Sequence, residues 1–228
     1  MRDAVDHLMP WLCLLATSLL LTAQWFIWVH VPEEATMGMT QKIFYFHLPM
    51  AWVGLACFFA VFVTSVGVLA GKGPGWDLLA GACAEVGVLT SGLALATGSL
   101  WARAAWNTWW TWDPRLTTTI IMWFVYVGYL VLRRTDLGGL KRTRIAAVVG
   151  VVAFLDVPLV FLSARMWRSI HPAVFASEGG GLEPEMWNTI LVSSAAFLAL
   201  AAVLVLLRLR QGLAAHRIDV LVAGFLRG

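Results

Sequence analysis

Five of the thirteen tryptophans lie close together in one segment that also carries Asp113 and Arg115. They are Trp101, Trp106, Trp109, Trp110 and Trp112. An indole ring is flat and apolar and has one N–H donor, so a group of them can form a surface for a planar, apolar ligand. Tryptophan is also frequent at membrane surfaces, but this density, interleaved with polar residues, favours a binding platform. If the segment is helical, Trp106, Trp109, Trp110 and Asp113 share one face.

Two histidines, His47 and His171, could add metal-ligating imidazoles to this platform. Neutral imidazole is the most common metal ligand in proteins and can bind haem iron axially. A single histidine at an interface is usually an amphipathic surface residue, but two on the side of the tryptophans favour a pair of axial ligands. His30 is a weaker candidate, and the two remaining histidines are predicted to lie on the other side of the membrane.

A haem would also bring two propionates, which need cations or N–H donors. Four arginines are predicted to lie on the side of the tryptophans, namely Arg103, Arg115, Arg165 and Arg168. Each could pair with a carboxylate in a bidentate manner, and each could instead contact lipid headgroups. Arg115 is favoured because it is adjacent to the platform.

The elements that must position these residues are transmembrane helices. The chain has 228 residues, of which 60% are hydrophobic and 13% are charged, and this composition excludes an ordinary soluble domain. Apolar windows long enough to cross about 30 Å of hydrocarbon occur at Trp11–Val29, Met50–Ala70, Leu78–Leu100, Leu116–Leu132, Ile145–Leu162 and Trp187–Leu207. We therefore predict an all-α integral membrane protein with six transmembrane helices in a single polytopic domain, residues 1–228.

The distribution of basic residues predicts the orientation of these helices. Six spans place both termini on one side, and all but five of the sixteen basic residues fall on that side. The positive-inside rule assigns this side to the cytoplasm, so the tryptophan-rich loop faces outward. The basic, amphipathic segment 211–228 is interpreted as a helix on the membrane surface.

Polar residues inside the spans are few. Cys13, Cys57 and Cys83 lie in predicted helices without a CxxC pattern, which indicates packing residues rather than a redox pair. Glu85 and Asp156 are acidic residues at membrane depth, where a charge suggests a functional or pairing role. A protonated carboxyl group hydrogen-bonded between helices is the slightly favoured interpretation.

The segment Trp106-Asn107-Thr108-Trp109-Trp110-Thr111-Trp112-Asp113-Pro114-Arg115 resembles the tryptophan-rich WWD signature of haem-handling proteins of cytochrome c maturation. Chain length, six spans and a single WWD loop, residues 101–117, are similar to the CcmC-type branch over nearly the whole chain. The preceding Gly98-Ser99-Leu100-Trp101 and the Phe44–Pro49 segment fit the same family. Asn107 stands where many relatives have glycine, and Pro114 stands where some have alanine.

The resemblance implies a haem-binding protein of the bacterial inner membrane, with both termini cytoplasmic and the WWD loop periplasmic. It implies non-covalent haem b, with His47 and His171 as axial ligands of the iron. It implies delivery of haem to the chaperone CcmE, together with the ABC transporter subunits CcmA and CcmB and the small membrane protein CcmD. The chain would be a binding and transfer subunit rather than an enzyme, and it has no Walker A pattern for ATP hydrolysis.

Two alternatives remain from the sequence. One is a haem lyase or synthase-type enzyme that attaches haem to apocytochrome c, although such relatives are larger and have a histidine pair within the membrane. The other is a structural or ion-conducting subunit that uses Glu85 and Asp156 as a proton relay. This second alternative leaves the tryptophan loop and both histidines without a role.

Overall fold

The computed structural model describes residues 2–167 and 182–226, and these residues form helices and no strand. The α-helices are α1 (Arg2–Trp25), α2 (Phe44–Leu69), α3 (Pro74–Trp106), α4 (Pro114–Leu132), α5 (Gly139–Ala153), α6 (Asp156–Met166) and α7 (Pro184–Phe225). Six helical segments of the described chain are long and apolar enough to cross a membrane: His7–His30, Met39–Leu69, Pro74–Trp106, Pro114–Leu132, Gly139–Ser163 and Pro184–Phe225. The predicted all-α architecture with six spans is confirmed.

Local sequence signals explain where several helices begin and end. α3, α4 and α7 each begin at a proline, whose missing N–H falls among first-turn donors that have no partner within a helix. Asp113 caps α4, because its carboxylate accepts the N–H of Arg115 at 2.9 Å. α3 ends at Asn107 with a φ of 55°, a left-handed conformation that asparagine tolerates better than most residues.

The fifth span consists of two helices rather than one. α5 ends at Ala153 and α6 begins at Asp156, with a turn at residues 154–155. The ring of Pro158 would clash with the carbonyl group of Phe154 if the helix continued, and it removes the N–H that would bond to this carbonyl group. Pro158 therefore accounts for the break, and the break places Asp156 at the first position of α6.

The closest helix pair is α2 and α3, which approach each other through small residues. An added Cβ at Gly54 would lie 3.1 Å from the Cβ of Ser91, and one at Gly87 would lie 2.7 Å from the ring of Phe58. Phe58 in turn stacks on Tyr126 of α4, with ring centroids 3.7 Å apart. Small residues at these positions let the backbones come close, as is usual between membrane helices.

Two ends of the bundle can be distinguished. We call the end where α3 ends and α4 begins the Trp end, because residues 107–113 lie there. At the same end, Ile27 and Val31 pack with Tyr45 of α2 and Ile190 of α7. We call the opposite end, where α2 connects to α3 and α4 to α5, the basic end. The described residues that could bind a ligand at the Trp end are therefore held by α1, α2, α3, α4, α7 and the end of α6.

A buried lysine fixes the first connection at the Trp end. α1 continues into a π-helical turn, Phe26–His30, and a 3-10 turn, Met39–Ile43, leads into α2. The Lys42 side chain is 5% exposed, and its ammonium group donates to the carbonyl oxygen of Ile27 at 2.8 Å. It also lies 3.5 Å from the carbonyl oxygens of Trp28 and Val31. Lys42 thus satisfies carbonyl groups at the end of α1 and ties them to the start of α2.

The C-terminal segment is not a separate surface helix in this structure. α7 runs without interruption from Pro184 to Phe225, a helix of 42 residues. At Gly212 it still lies against α3, since an added Cβ would be 3.2 Å from Leu78. The amphipathic segment therefore continues the sixth span as one helix.

Candidate haem site at the tryptophan end

His47 lies in the first turns of α2 and faces α3. Its Nδ1 is 2.9 Å from the carbonyl oxygen of Ala94 and 3.3 Å from the hydroxyl group of Thr97. Because a carbonyl oxygen can only accept, Nδ1 carries the hydrogen, and the lone pair of the ring is then on Nε2. A hydrogen bond of this kind on the second nitrogen is typical of a histidine that binds a metal.

Gly98 makes room for this imidazole. An added Cβ at Gly98 would lie 2.8 Å from Cε1 and 3.2 Å from Nδ1 of His47. A side chain at this position would therefore displace the ring. The glycine in the Gly98-Ser99-Leu100-Trp101 segment is therefore explained by the space that the His47 ring needs.

The tryptophan loop is not helical. α3 ends at Trp106, and residues 107–113 form an irregular connection before α4. The arrangement in which Trp106, Trp109, Trp110 and Asp113 share one helical face therefore does not occur. The left-handed conformation of Asn107 turns the chain out of the helix at this residue.

The indoles form two perpendicular pairs instead of one flat platform. Trp101 and Trp106 have ring centroids 5.2 Å apart and planes at 90°. Trp110 and Trp112 have centroids 6.0 Å apart and planes at 81°. Trp109 is 57% exposed and Trp112 is 78% exposed. The exposed rings offer apolar contact area, whereas Trp101 and Trp110 are partly buried.

Polar atoms without partners concentrate in this segment. Four of the ten buried side-chain atoms that lack a hydrogen bond in the described chain belong to residues 101–117. They are the indole Nε1 atoms of Trp101 and Trp110 and the hydroxyl groups of Thr111 and Thr117. Buried polar groups normally have partners, so this concentration fits a site whose partners come from a bound ligand with oxygen acceptors or from water.

Asp113 and Arg115 occupy the base of the loop. Asp113 is 7% exposed, and its capping bond to the backbone of Arg115 gives it a structural role. Its carboxylate also acts electrostatically on the Arg115 guanidinium group, which is half-buried. A propionate at Arg115 would thus share this cation with Asp113.

Arg103 and Ser99 hold the loop in place. The sequence did not predict this role for either residue. Arg103 donates from Nη1 to the backbone carbonyl and the side-chain oxygen of Asn107, both at 2.6 Å, and lies over the Trp109 ring at 5.9 Å. Ser99 donates to the carbonyl oxygen of Trp109 at 2.5 Å. The spacing of four residues between Arg103 and Asn107 is a signal for such a contact, whereas the bond from Ser99 depends on the course of the loop.

The remaining histidines differ in what the structure describes. His171 lies outside the described residues, as does Arg168. His30 ends the π-helical turn of α1, where it stacks on Trp25 at 5.8 Å and contacts Phe26 at 4.7 Å. Its Nε2 is buried without a hydrogen-bond partner among the described residues. His47 is therefore the predicted ligand whose surroundings are defined.

Comparison with known proteins gives a consistent result over almost the whole chain. The family profile described as heme exporter protein C matches residues 1–223. Heme exporter protein C of Bradyrhizobium diazoefficiens is 33% identical over 93% of this chain and 81% of its own length. The protein of the same name from Escherichia coli K12 is 29% identical over 89% of this chain and 82% of its own length. A putative cytochrome c biosynthesis ccmC-like mitochondrial protein of Marchantia polymorpha is 29% identical over 81% of this chain and 78% of its own length. The family profile matches nearly all of a chain that forms six apolar spans. This chain therefore belongs to the heme exporter protein C, or CcmC, family.

Proposed function

We propose that this protein binds haem b non-covalently at the Trp end, on the periplasmic side of the inner membrane, and delivers it to a CcmE-type chaperone. Membership of the heme exporter protein C family supports a role in haem delivery for cytochrome c maturation. The observation that carries the location is the concentration of unpartnered indole and hydroxyl groups in residues 101–117, next to the segment of α3 that faces His47.

Histidine ligation would hold the iron. His47 has the tautomer that an axial ligand needs, because its Nδ1–H is bonded to the carbonyl oxygen of Ala94. His171 is the second proposed ligand, on the basis of the family resemblance. Two neutral imidazoles can fill both axial positions of haem iron.

The tryptophans and Arg115 would hold the porphyrin ring and its carboxylates. The exposed Trp109 and Trp112 provide apolar surface for the macrocycle. The N–H groups of Trp101 and Trp110 can donate to carboxylate oxygens, and Arg115 can neutralise one propionate. Trp106 supports Trp101 edge-to-face, and Asp113 keeps the start of α4 in place.

The protein would act as a transfer subunit without catalytic activity of its own. Retention must be moderate, because haem bound too tightly could not pass to the chaperone. ATP hydrolysis would occur in a CcmA-type subunit that works with a CcmB-type membrane subunit, and a CcmD-type small protein would complete the assembly. The family resemblance supports these partners.

Absorption spectroscopy of the purified protein tests the proposal. After co-expression with the candidate chaperone in haem-replete cells, we expect a Soret band in the wild type. The band should be lost or strongly shifted in the His47→Ala, His171→Ala double variant and weakened in Trp112→Ala. Covalent haem on the chaperone should fall in parallel.

Matched controls use residues away from the site. His7→Ala and His216→Ala keep the number of removed imidazoles equal, and Trp11→Ala removes an indole that is 69% exposed on α1. These three variants should retain the wild-type band. Equal loss in all variants, or the absence of a Soret band in the wild type, would contradict haem binding at the Trp end.

A further inference from the structure

Two ion pairs join described helices toward the basic end, and the first joins α3 to the end of α4. Arg133 donates to both carboxylate oxygens of Asp77, at 2.6 and 3.0 Å, and to its backbone carbonyl group at 2.9 Å. Gly81 makes this possible, since an added Cβ would lie 3.0 Å from the guanidinium group. Arg133 also donates to the hydroxyl group of Tyr129 at 3.1 Å.

The second pair joins α3 to α7. The Arg208 guanidinium group donates to both carboxylate oxygens of Glu85, with one bond at 2.8 Å. It also donates to the side chain of Gln211 at 2.6 Å. Glu85, one of the two acids predicted at membrane depth, is therefore an ion-paired carboxylate.

Asp156 differs from both of these acids. It lies within the span Gly139–Ser163, at the break between α5 and α6. No described residue forms an ion pair or hydrogen bond with it, and its Oδ2 is buried. Arg133, the residue that directly follows the neighbouring helix α4, does not pair with Asp156 because it is bonded to Asp77.

A second polar group without a partner faces the same region. Tyr126 of α4 is fully buried, and its hydroxyl group has no hydrogen-bond partner among the described residues. Its ring is held by the stack on Phe58 and packs in the cluster that includes Val157 and Val160 of α6. Val157 directly follows Asp156 in the first turn of α6.

A carboxylate in a medium of low polarity is unfavourable unless a cation or several donors stabilise it. The neutral acid avoids this cost and gains a hydroxyl donor while keeping an acceptor oxygen. A tyrosine hydroxyl group also donates and accepts, so one ordered water between the two groups can satisfy both. One proton bound to the Asp156 carboxyl group would therefore give a partner to both Oδ2 of Asp156 and the hydroxyl group of Tyr126.

We propose that Asp156 is a proton-binding site within the membrane, where its carboxyl group takes a proton from water and shares a water-mediated hydrogen bond with the hydroxyl group of Tyr126. The site depends on the helix break at Pro158, which places the carboxyl group at the first turn of α6. Its residues, Asp156 and Tyr126, are not among those proposed to hold haem.

Infrared spectroscopy of the complete protein in lipid membranes tests this proposal at neutral pH. The wild type should show the carbonyl stretch of a protonated carboxylic acid, with the small shift in D₂O that marks an exchangeable proton. Asp156→Asn should remove this band. Tyr126→Phe should keep the band but move it to higher frequency, because the acid loses a hydrogen bond.

Glu85→Gln is the matched control, since it removes an acid that is paired with Arg208 and should leave the band unchanged. A wild type without the band, or a band that survives in Asp156→Asn, would show that Asp156 is ionised and would overturn the proposal. An identical band position in Tyr126→Phe would overturn the shared hydrogen bond. Tyr129→Phe, a neighbouring phenol bonded to Arg133, shows whether any shift is specific to Tyr126.

Discussion

The position of His47 depends on the absence of a side chain at residue 98. The imidazole occupies the space that a Cβ of Gly98 would need, with Cε1 at 2.8 Å. A contact this short cannot be relieved by rotation of the added methyl group, so the ring or the helix must move. The geometry of the candidate ligand is thus set by a residue on the opposite helix.

Gly98→Ala should therefore impair haem retention while leaving the protein folded. We expect a cost of about 1–3 kcal/mol from overpacking and a loss of the hydrogen bond between His47 and the carbonyl group of Ala94. The measurement is the intensity and position of the Soret band in purified protein, with circular dichroism to confirm helix content. Gly128→Ala is the control, because no atom lies within 4 Å of its added Cβ. Wild-type haem binding in Gly98→Ala would exclude His47 as an oriented ligand.

At the scale of helices, the contact between α2 and α3 organises the bundle. Gly87 lies against Phe58, which stacks on Tyr126, so three helices meet through one small residue. This arrangement ties the helix that carries His47 to the helix that carries Trp101 and, through Tyr126, to α4.

Gly87→Ala should lower the thermal unfolding midpoint in detergent. The added Cβ would lie 2.7 Å from the Phe58 ring, and the expected loss of about 1–3 kcal/mol outweighs the gain of roughly 0.5–1 kcal/mol that alanine brings to a helix interior. Gly128→Ala has the same gain without the contact and should be neutral or slightly stabilising. A raised midpoint in Gly87→Ala would mean that α2 and α3 do not pack at this point.

Helices were the part of the fold that the sequence predicted well. Long apolar runs identify the spans because the bilayer leaves few alternatives for the backbone. The break at residues 154–155 lies inside one apolar run, and Pro158 is its signal. The unbroken course of α7 could not be inferred, because an amphipathic tail is compatible with a surface helix and with a continued one.

The candidate site was predicted by residue type rather than by arrangement. Side chains such as His47 and Trp109 can be selected for their chemistry, but their contacts with Ala94 and Ser99 depend on how distant segments pack. The helical face of indoles was wrong because Asn107 ends α3 within the motif. Arg103 and Asn107 are four residues apart, so the hydrogen bond between them is the one contact in the loop that sequence spacing could have suggested.

For the whole molecule, the predicted orientation in the membrane can be tested directly. A cysteine introduced at Trp112, which is 78% exposed, should react with an impermeant maleimide added to intact spheroplasts. A cysteine at Leu140, which is 85% exposed near the basic end, should react only after the membrane is opened. The native Cys13, Cys57 and Cys83 are replaced by serine or alanine in this background. The reverse pattern would show that the Trp end faces the cytoplasm.

The uninterrupted α7 has a mechanical consequence. At 42 residues it is about 63 Å long, roughly twice the thickness of the hydrocarbon layer. Its first turns pack with Tyr45, two residues from His47, and its far end extends past Leu78 at the basic end. A tilt of about 5° around the middle of such a rod moves each tip by roughly 3 Å in opposite directions. A small tilt that moves the turns of α7 near His47 would therefore also move its segment at the basic end, in the opposite direction.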